Sequence, residues 1–505
     1  MTRWTLALSI LTLLFASCGG QVVLGNRPVD TGDGGDAGSP GTPDAGSGNT
    51  PLEACGPFRS ATDLHVCSAT HLGGPGNDVG RFVDFMPDGT IVVAGVLGGN
   101  DFGVKPTSLL GGGDGVVLRL DPLGRSVLSV THLPGRIFDA AIDRTTNRIG
   151  VVGDLGVAVL DPTASSIVWS RPGAPDHIAF GPDGTMVTTE TAMVLDKGTV
   201  LASLTIDPPR SNGASPQFAV LRGPAADVVA DLGQAIVIGT APDAGGECGP
   251  SFESVYITSY GFDGAVHWTS YGWSAAQAFA ADAYESTNGS AIGVGPGDKI
   301  VFAAGAAKTK NALEHDAHNL AASANLNDSG PFTTLENPGA FKSAFIGWLH
   351  AGSGATIAGT WLTGRENADG TGRVAGAAVF GITTDAFGQI YAAGTVGGYM
   401  PGRSQLSVDG TPVGVSTSGD DDGFVVMLDD PAHVADIRFW VTWTKTVAAP
   451  LWSIALHDGL VATLGTTLHS EGQLITVHPI QAARSGGGDA FLSVFPGNPS
   501  LVQRP

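Results

Sequence analysis

A chain of 505 residues with 75 glycines, 14% charged residues and a mean hydropathy of +0.16 is suited to tight turns and an apolar interior, not to disorder. Its 47 Asp and Glu against 25 Lys and Arg give a net charge of −22, which excludes nucleic acid as an expected partner because phosphate recognition needs clustered cations. At this density the acidic side chains mainly keep the surface solvated, and many bond the backbone in turns.

Arg3 precedes an apolar run from Trp4 to Ala16, too short to span a bilayer and suited to the core of a signal peptide. The run ends in "LFASCGG", which resembles the lipobox of bacterial lipoproteins, with Phe15 where that family usually carries Leu. The resemblance implies a signal peptide over 1–17, diacylation of Cys18 and a lipid anchor as the one membrane contact. Gly19 behind the cysteine resembles lipoproteins of the outer membrane, so a periplasmic or surface-exposed protein is expected. An ordinary cleaved signal on a freely secreted product is the alternative.

Residues 18–54 read as a disordered Gly/Asp/Pro tether, since "NRPVDTGDGGDAGSPGTPDAGSGNT" holds almost nothing that could be buried. Asp30, Asp33 and Asp36 recur at threes but lack the distal Glu of a calcium loop, which favours a solvated linker. With Cys18 lipidated, Cys55, Cys67 and Cys248 remain. Export suits a disulfide, and Cys55 with Cys67 is the local pairing, although Cys248 is an alternative partner for either.

From residue 55 to 505 one phrase recurs. "PDGTIVVAG" (87–95) is followed by "TTNRIGVVG" (145–153), "PDGTMVTTE" (182–190), "LGQAIVIG" (232–239), "GDKIVFAAG" (297–305), "FGQIYAAG" (387–394) and "HDGLVATLG" (457–465). Each is a turn followed by a β-branched run, and most have a short apolar run before the turn, as in "RFVDF" and "SIALH". Third strands such as "DGVVLRLDPLG" and fourth strands such as "SVLSVTHL" complete units of four strands. Seven such units of about 60 residues predict an all-β fold, a seven-bladed β-propeller. The last unit has no fourth strand, while "DLHVCSATHLGG" (63–74) is unused by the first and resembles the fourth-strand phrase "SVTHLPG". The N-terminal strand is therefore expected to complete the last blade.

"THLGGPGNDVGRFVDFMPDGTIVVAG", together with "GGGDAF", resembles the SBBP-type β-propeller repeat of exported bacterial proteins. That resemblance implies a propeller in an exported setting and no defined activity.

Second-to-third-strand connections are long in five units, at 96–113, 240–253, 306–342, 395–421 and 466–488, which piles length on one face. Long loops on a rigid scaffold favour binding there, and a protein or glycan of the cell envelope is the expected partner of a monomer without cofactor. Asp420 and Asp421 in "SGDDDGF", Glu190 in the slot that six other units fill with Gly, and Glu247 in a long loop are the ligand-contact candidates. Asp422 falls in register with Asp114 and Asp489 and reads as a turn cap. In "EHDAH", His315 and His318 would share one side of a helix and form a candidate metal pair, though no third ligand is spaced with them. An exported hydrolase or lyase using loop carboxylates is the alternative function, although no GxSxG, HExxH or Walker motif occurs.

Overall fold

The computed structural model describes residues 51–56, 59, 63–189, 193–196, 199–203, 225–231, 234–243, 252–307, 309–327, 333, 335, 343–367, 371–400, 407–412, 422–428, 438–441, 450–467 and 474–497. The chain is all-β. Each recurring unit forms an antiparallel meander in chain order. Sheet 1 contains Val79–Phe85, Ile91–Val96, Gly115–Leu120 and Val127–Leu133; sheet 2 contains Ile137–Asp143, Arg148–Gly153, Gly156–Leu160 and Ile167–Arg171. Sheet 3 contains Ile178–Phe180, Met186–Thr188, Met193–Asp196 and Thr199–Ser203; sheet 4 contains Ala225–Asp231, Gln234–Asp243, Phe252–Gly261 and Val266–Tyr271. Sheet 5 contains Thr287–Gly295, Lys299–Ala306, Ser343–His350 and Thr356–Leu362; sheet 6 contains Ala377–Thr384, Ile390–Val396, Asp422–Leu428 and Arg438–Val441. Sheet 7 takes Leu451–His457, Leu460–Thr467 and Asp489–Pro496 from the end of the chain and Ser68–Leu72 from its beginning.

The turn of the repeated phrase shows why its residues are needed. Met86 and Thr90 close the hairpin by a backbone bond of 2.7 Å, Gly89 takes φ +80°, and the Asp88 carboxylate accepts the Thr90 N–H at 2.9 Å. "PDGT" at 182–185 repeats the device, with Gly184 at φ +81° and Thr185 donating to Asp183.

Both faces of the central strands are covered. All eight residues of Leu460–Thr467 and of Asp489–Pro496 are buried, so an alternating pattern would be wrong for them. The cover comes from neighbouring sheets: first strand packs on first strand from sheet 1 through sheet 7, and the first strand of sheet 7 packs on that of sheet 1. Asp84 in sheet 1 is buried and meets Arg144 of the sheet 2 turn at 2.6 Å. Burial pushes its carboxyl up and the guanidinium opposes that.

Ser68–Leu72 runs antiparallel to Asp489–Pro496, from Ser68 opposite Val494 to Leu72 opposite Ala490. Just before it, Cys55 and Cys67 are joined by a disulfide across a Cα–Cα distance of 5.0 Å. The helix Pro51–Cys55 begins inside the stretch assigned to the tether, and buried Cys55 explains its order: the bond fixes the helix end to the sheet.

The long connections depart from expectation. They do not simply stand above one face, because parts of them run down to the outer sheet edges. Thr107–Ser108, from the sheet 1 connection, pairs with Thr131 and His132 of that sheet's outer strand. Leu326–Asn327 pairs with Gly359 and Thr360 in sheet 5, and Val477 exchanges backbone bonds of 2.8 and 3.0 Å with Ala69 in sheet 7. In sheet 6 the connection forms a hairpin, Ser407–Val408 with Thr411–Pro412, that pairs with Asp63–Leu64. The described ends of the expected loop at 240–253 are strand, since pairing continues from Thr240 opposite Val255 to Asp243 opposite Phe252. Covered edges cannot template pairing with another chain, so much of this length serves the fold.

Candidate functional site

The end of the sheets that carries the second-to-third connections has a feature that sequence periodicity did not reveal. Among the described residues, six sheets show the pairing of first and second strands slipping by one residue near the start of the first strand, between Gly80 and Phe82, Ile137 and Asp139, Ala225 and Asp227, Gly289 and Ala291, Val379 and Gly381, and Leu451 and Ser453. The extra residues are Arg81, Phe138, Ala226, Ser290, Phe380 and Trp452. Such bulges bend a strand and re-aim a side chain, and they concentrate at rims and sites.

Three of the extra residues meet across adjacent sheets. The rings of Phe380 and Trp452 lie 4.8 Å apart, and the Arg81 guanidinium sits 5.9 Å from the Trp452 ring. Trp452 is fixed by its indole N–H donating to Thr466 Oγ1 at 3.0 Å. In sheet 2, Arg136 lies 5.0 Å over Phe138 and forms a two-pronged pair with Asp154 at 3.0 and 3.2 Å. Hydrogen bonding from Arg136 holds the Asp154 carboxyl below its ordinary range. Trp452 and Phe380 are nearly covered, whereas the Arg136 side chain is 64% exposed, so cations and partly covered rings mark this end of the sheets.

Also at this end, Asp139 Oδ2 lies 3.7 Å from His177 Nδ1, with both residues buried. Asp139 accepts the backbone N–H groups of Ala140 at 2.8 Å and Ile178 at 3.2 Å, and burial pushes its carboxyl up. His177 donates its backbone N–H to Thr189 Oγ1 at 3.0 Å. This is a clamp between sheets 2 and 3. Sequence spacing could not show it, because its members lie on or beside three strands of two units.

The sequence candidates fare differently. His315 and His318 are not on a helix. A single 3₁₀ turn, Ala312–Glu314, leads into a hairpin of His315–Asp316 with Asn319–Ser323, so helical i, i+3 geometry is absent. The cause is tertiary: Ala317 accepts the Tyr271 N–H and donates to Thr356 Oγ1, both at 2.8 Å, which ties the turn of this hairpin to the outer strands of sheets 4 and 5. His318 Nε2 lies 3.2 Å from Ser270 Oγ. Among the described residues no group of three His, Cys, Asp or Glu could hold a metal ion. Asp489 does cap the turn before its strand, accepting Ser485 N–H at 3.0 Å and Gln481 Nε2 at 2.9 Å. Cys18, Glu190, Glu247, Cys248, Asp420 and Asp421 lie outside the described residues.

No family model matches the chain, and no curated protein matches it. Among solved structures, hydrazine synthase of Kuenenia stuttgartiensis is similar with a TM-score of 0.43 and 12% identity, over 78% of this chain and 93% of that one. The C-terminal WD40 domain of Sif2 is similar with a TM-score of 0.39 and 10% identity, over 86% of this chain and 99% of that one. Likeness at this level carries no information about activity.

Proposed function

We propose that the chain is a seven-bladed β-propeller closed by its N-terminal strand, anchored through a lipid on Cys18 to an outer membrane, and that it binds a protein or glycan of the cell envelope without catalysis. The succession of first strand on first strand, returning from sheet 7 to sheet 1, is the observation that supports the propeller reading. Binding is assigned to the bulged end of the sheets, where Arg81 lies beside Trp452 and, separately, Arg136 beside Phe138, and where the connections rise before turning down to the edges. Rings with cations beside them suit the C–H faces and acidic groups of glycans, as well as acidic peptide side chains.

The anchor and the binding face are tested separately. Cys18→Ala is expected to move the protein from the membrane pellet to the soluble fraction of a producing bacterium; unchanged fractionation removes the anchor. Full-length protein applied to glycan and peptide arrays is expected to retain at least one ligand class. Arg81→Ala with Arg136→Ala should then weaken that signal about tenfold or more, the loss of one or two charge-assisted contacts, with little change in melting. Retention equal to the parent's shifts binding elsewhere, and chemical loss of the arrayed glycan would favour the hydrolase alternative.

A further inference from the structure

The seam between the two chain ends contains two buried carboxylates facing one glycine. Gly73 directly follows the N-terminal strand of sheet 7, and a Cβ built there would lie 2.8 Å from Asp489 Oδ1 and 2.9 Å from Asp78 Oδ2. Asp78 leads into the first strand of sheet 1, and Asp489 opens the last strand of sheet 7. Asp78 is 2% exposed and Asp489 is 0% exposed. Their surroundings are unequal. Asp78 Oδ2 accepts the Gly74 N–H at 2.8 Å, and its own N–H donates to the Gly488 carbonyl at 2.7 Å. Asp489 Oδ2 takes Ser485 N–H and Gln481 Nε2, while Asp489 Oδ1 is buried without a hydrogen-bond partner. His71, on the N-terminal strand, points its buried Nδ1 toward Asp489 Oδ2 from 3.9 Å, too far for a hydrogen bond.

We propose that Asp78 and Asp489 form a proton-operated latch on this seam, which holds Ser68–Leu72 against the last strand when Asp78 carries a proton and loosens when both carboxylates are ionised. Two like charges beside one glycine, one of them with an unpartnered oxygen, repel each other where water cannot screen them. A proton on Asp78 removes that repulsion and leaves its bond from Gly74 possible through the remaining lone pairs. The groups that face the pair belong to every element packed on it: Asp114 from the connection just before the third strand of sheet 1, His71 from the N-terminal strand, and Arg484 from the connection before Asp489.

The titration of Asp78 agrees with this geometry. Burial, with Asp489 and Asp114 adding to it, raises its carboxyl from 3.8 to about 6. A carboxyl raised in the folded state binds more protons folded than open, so its contribution is largest below the unfolded value and declines as pH rises through about 6. His71 works in the opposite sense, because burial lowers its pKa and its charging at low pH opposes the fold. The latch is therefore read as a difference between parent and variant.

The test is hydrogen exchange of Ser68–Leu72 in the full chain at pH 5 and pH 7.5, corrected for intrinsic rates, in the parent and in Asp78→Asn. If opening restores Asp78 to its ordinary value, the ratio of parent to variant opening should rise about tenfold between the two pH values. A ratio that does not change with pH overturns the latch. Should Asp78→Asn not fold, Asp489→Asn, which keeps Asp78 and removes its nearest like charge, decides instead. The parent's pH dependence in that strand should shrink in this second variant, and an undiminished dependence overturns the proposal.

Discussion

A chain lacking residues 60–73 is expected to lose the cooperative unfolding transition of all its sheets, or to melt at least 20 °C below the parent. The deletion removes the fourth strand of sheet 7 and with it Leu64, Val66 and Leu72, each 1% exposed or less. Burying such side chains contributes roughly 1.5–3 kcal/mol each, so their loss approaches the ~5–15 kcal/mol that stabilises an ordinary domain. The damage spreads beyond these side chains. Cys67 leaves with the strand, which frees the helix Pro51–Cys55, and the outward backbone groups of Asp489–Pro496 lose their partners in Ser68–Leu72. The last strand would become an open, wholly buried-type edge of the kind that recruits other chains. Circular dichroism during heating, with light scattering to detect association, provides the measurement. A deletion variant that melts with the parent would mean that the seam between the chain ends does not support the other sheets.

The strands were legible because the repeated phrase contains its own turn chemistry. Asp88 and Gly89 do what their residue types require, and the β-branched run behind them has nowhere to go but a strand. The N-terminal strand was legible by counting, since one unit lacked a strand and the other end of the chain had one spare. The bulges were not. A slip in register such as that at Arg81 leaves no mark in an alternation already blurred by burial on both faces, and it is fixed by contacts with the neighbouring sheet, as Trp452 shows with Phe380 and Arg81. The course of the long connections was hidden for the same reason. Leu326 pairs with Gly359 and Val477 with Ala69, and a loop's polarity does not reveal which edge it will cover. For His315 and His318 the spacing was real, but Tyr271 and Thr356 hold the intervening Ala317 at the turn of a hairpin.

Gly394→Val is expected to destabilise the protein by about 4 kcal/mol or more, the range reserved for a few severe mechanisms. Gly394 closes the repeated phrase in sheet 6 and pairs with Val379, the residue before the bulge. A Cβ there would run into the carbonyl oxygen of Ala378 and lie 2.9 Å from the Val379 Cα, so the obstacle is backbone and cannot swing aside. Gly95, Gly153 and Gly465 hold the equivalent place against the carbonyls of Val79, Arg136 and Pro450. This explains the glycine that ends the phrase in these four sheets: the slipped strand brings its backbone where a side chain would stand. Gly76→Val provides the control, since Gly76 is exposed and a Cβ there meets nothing within 4 Å; its expected cost is about 0.5 kcal/mol or less. Urea denaturation of both variants separates the outcomes. If Gly394→Val unfolds at the same midpoint as Gly76→Val, the bulge can accept a side chain, and the glycine must be there for some reason other than the approach of the Ala378 carbonyl.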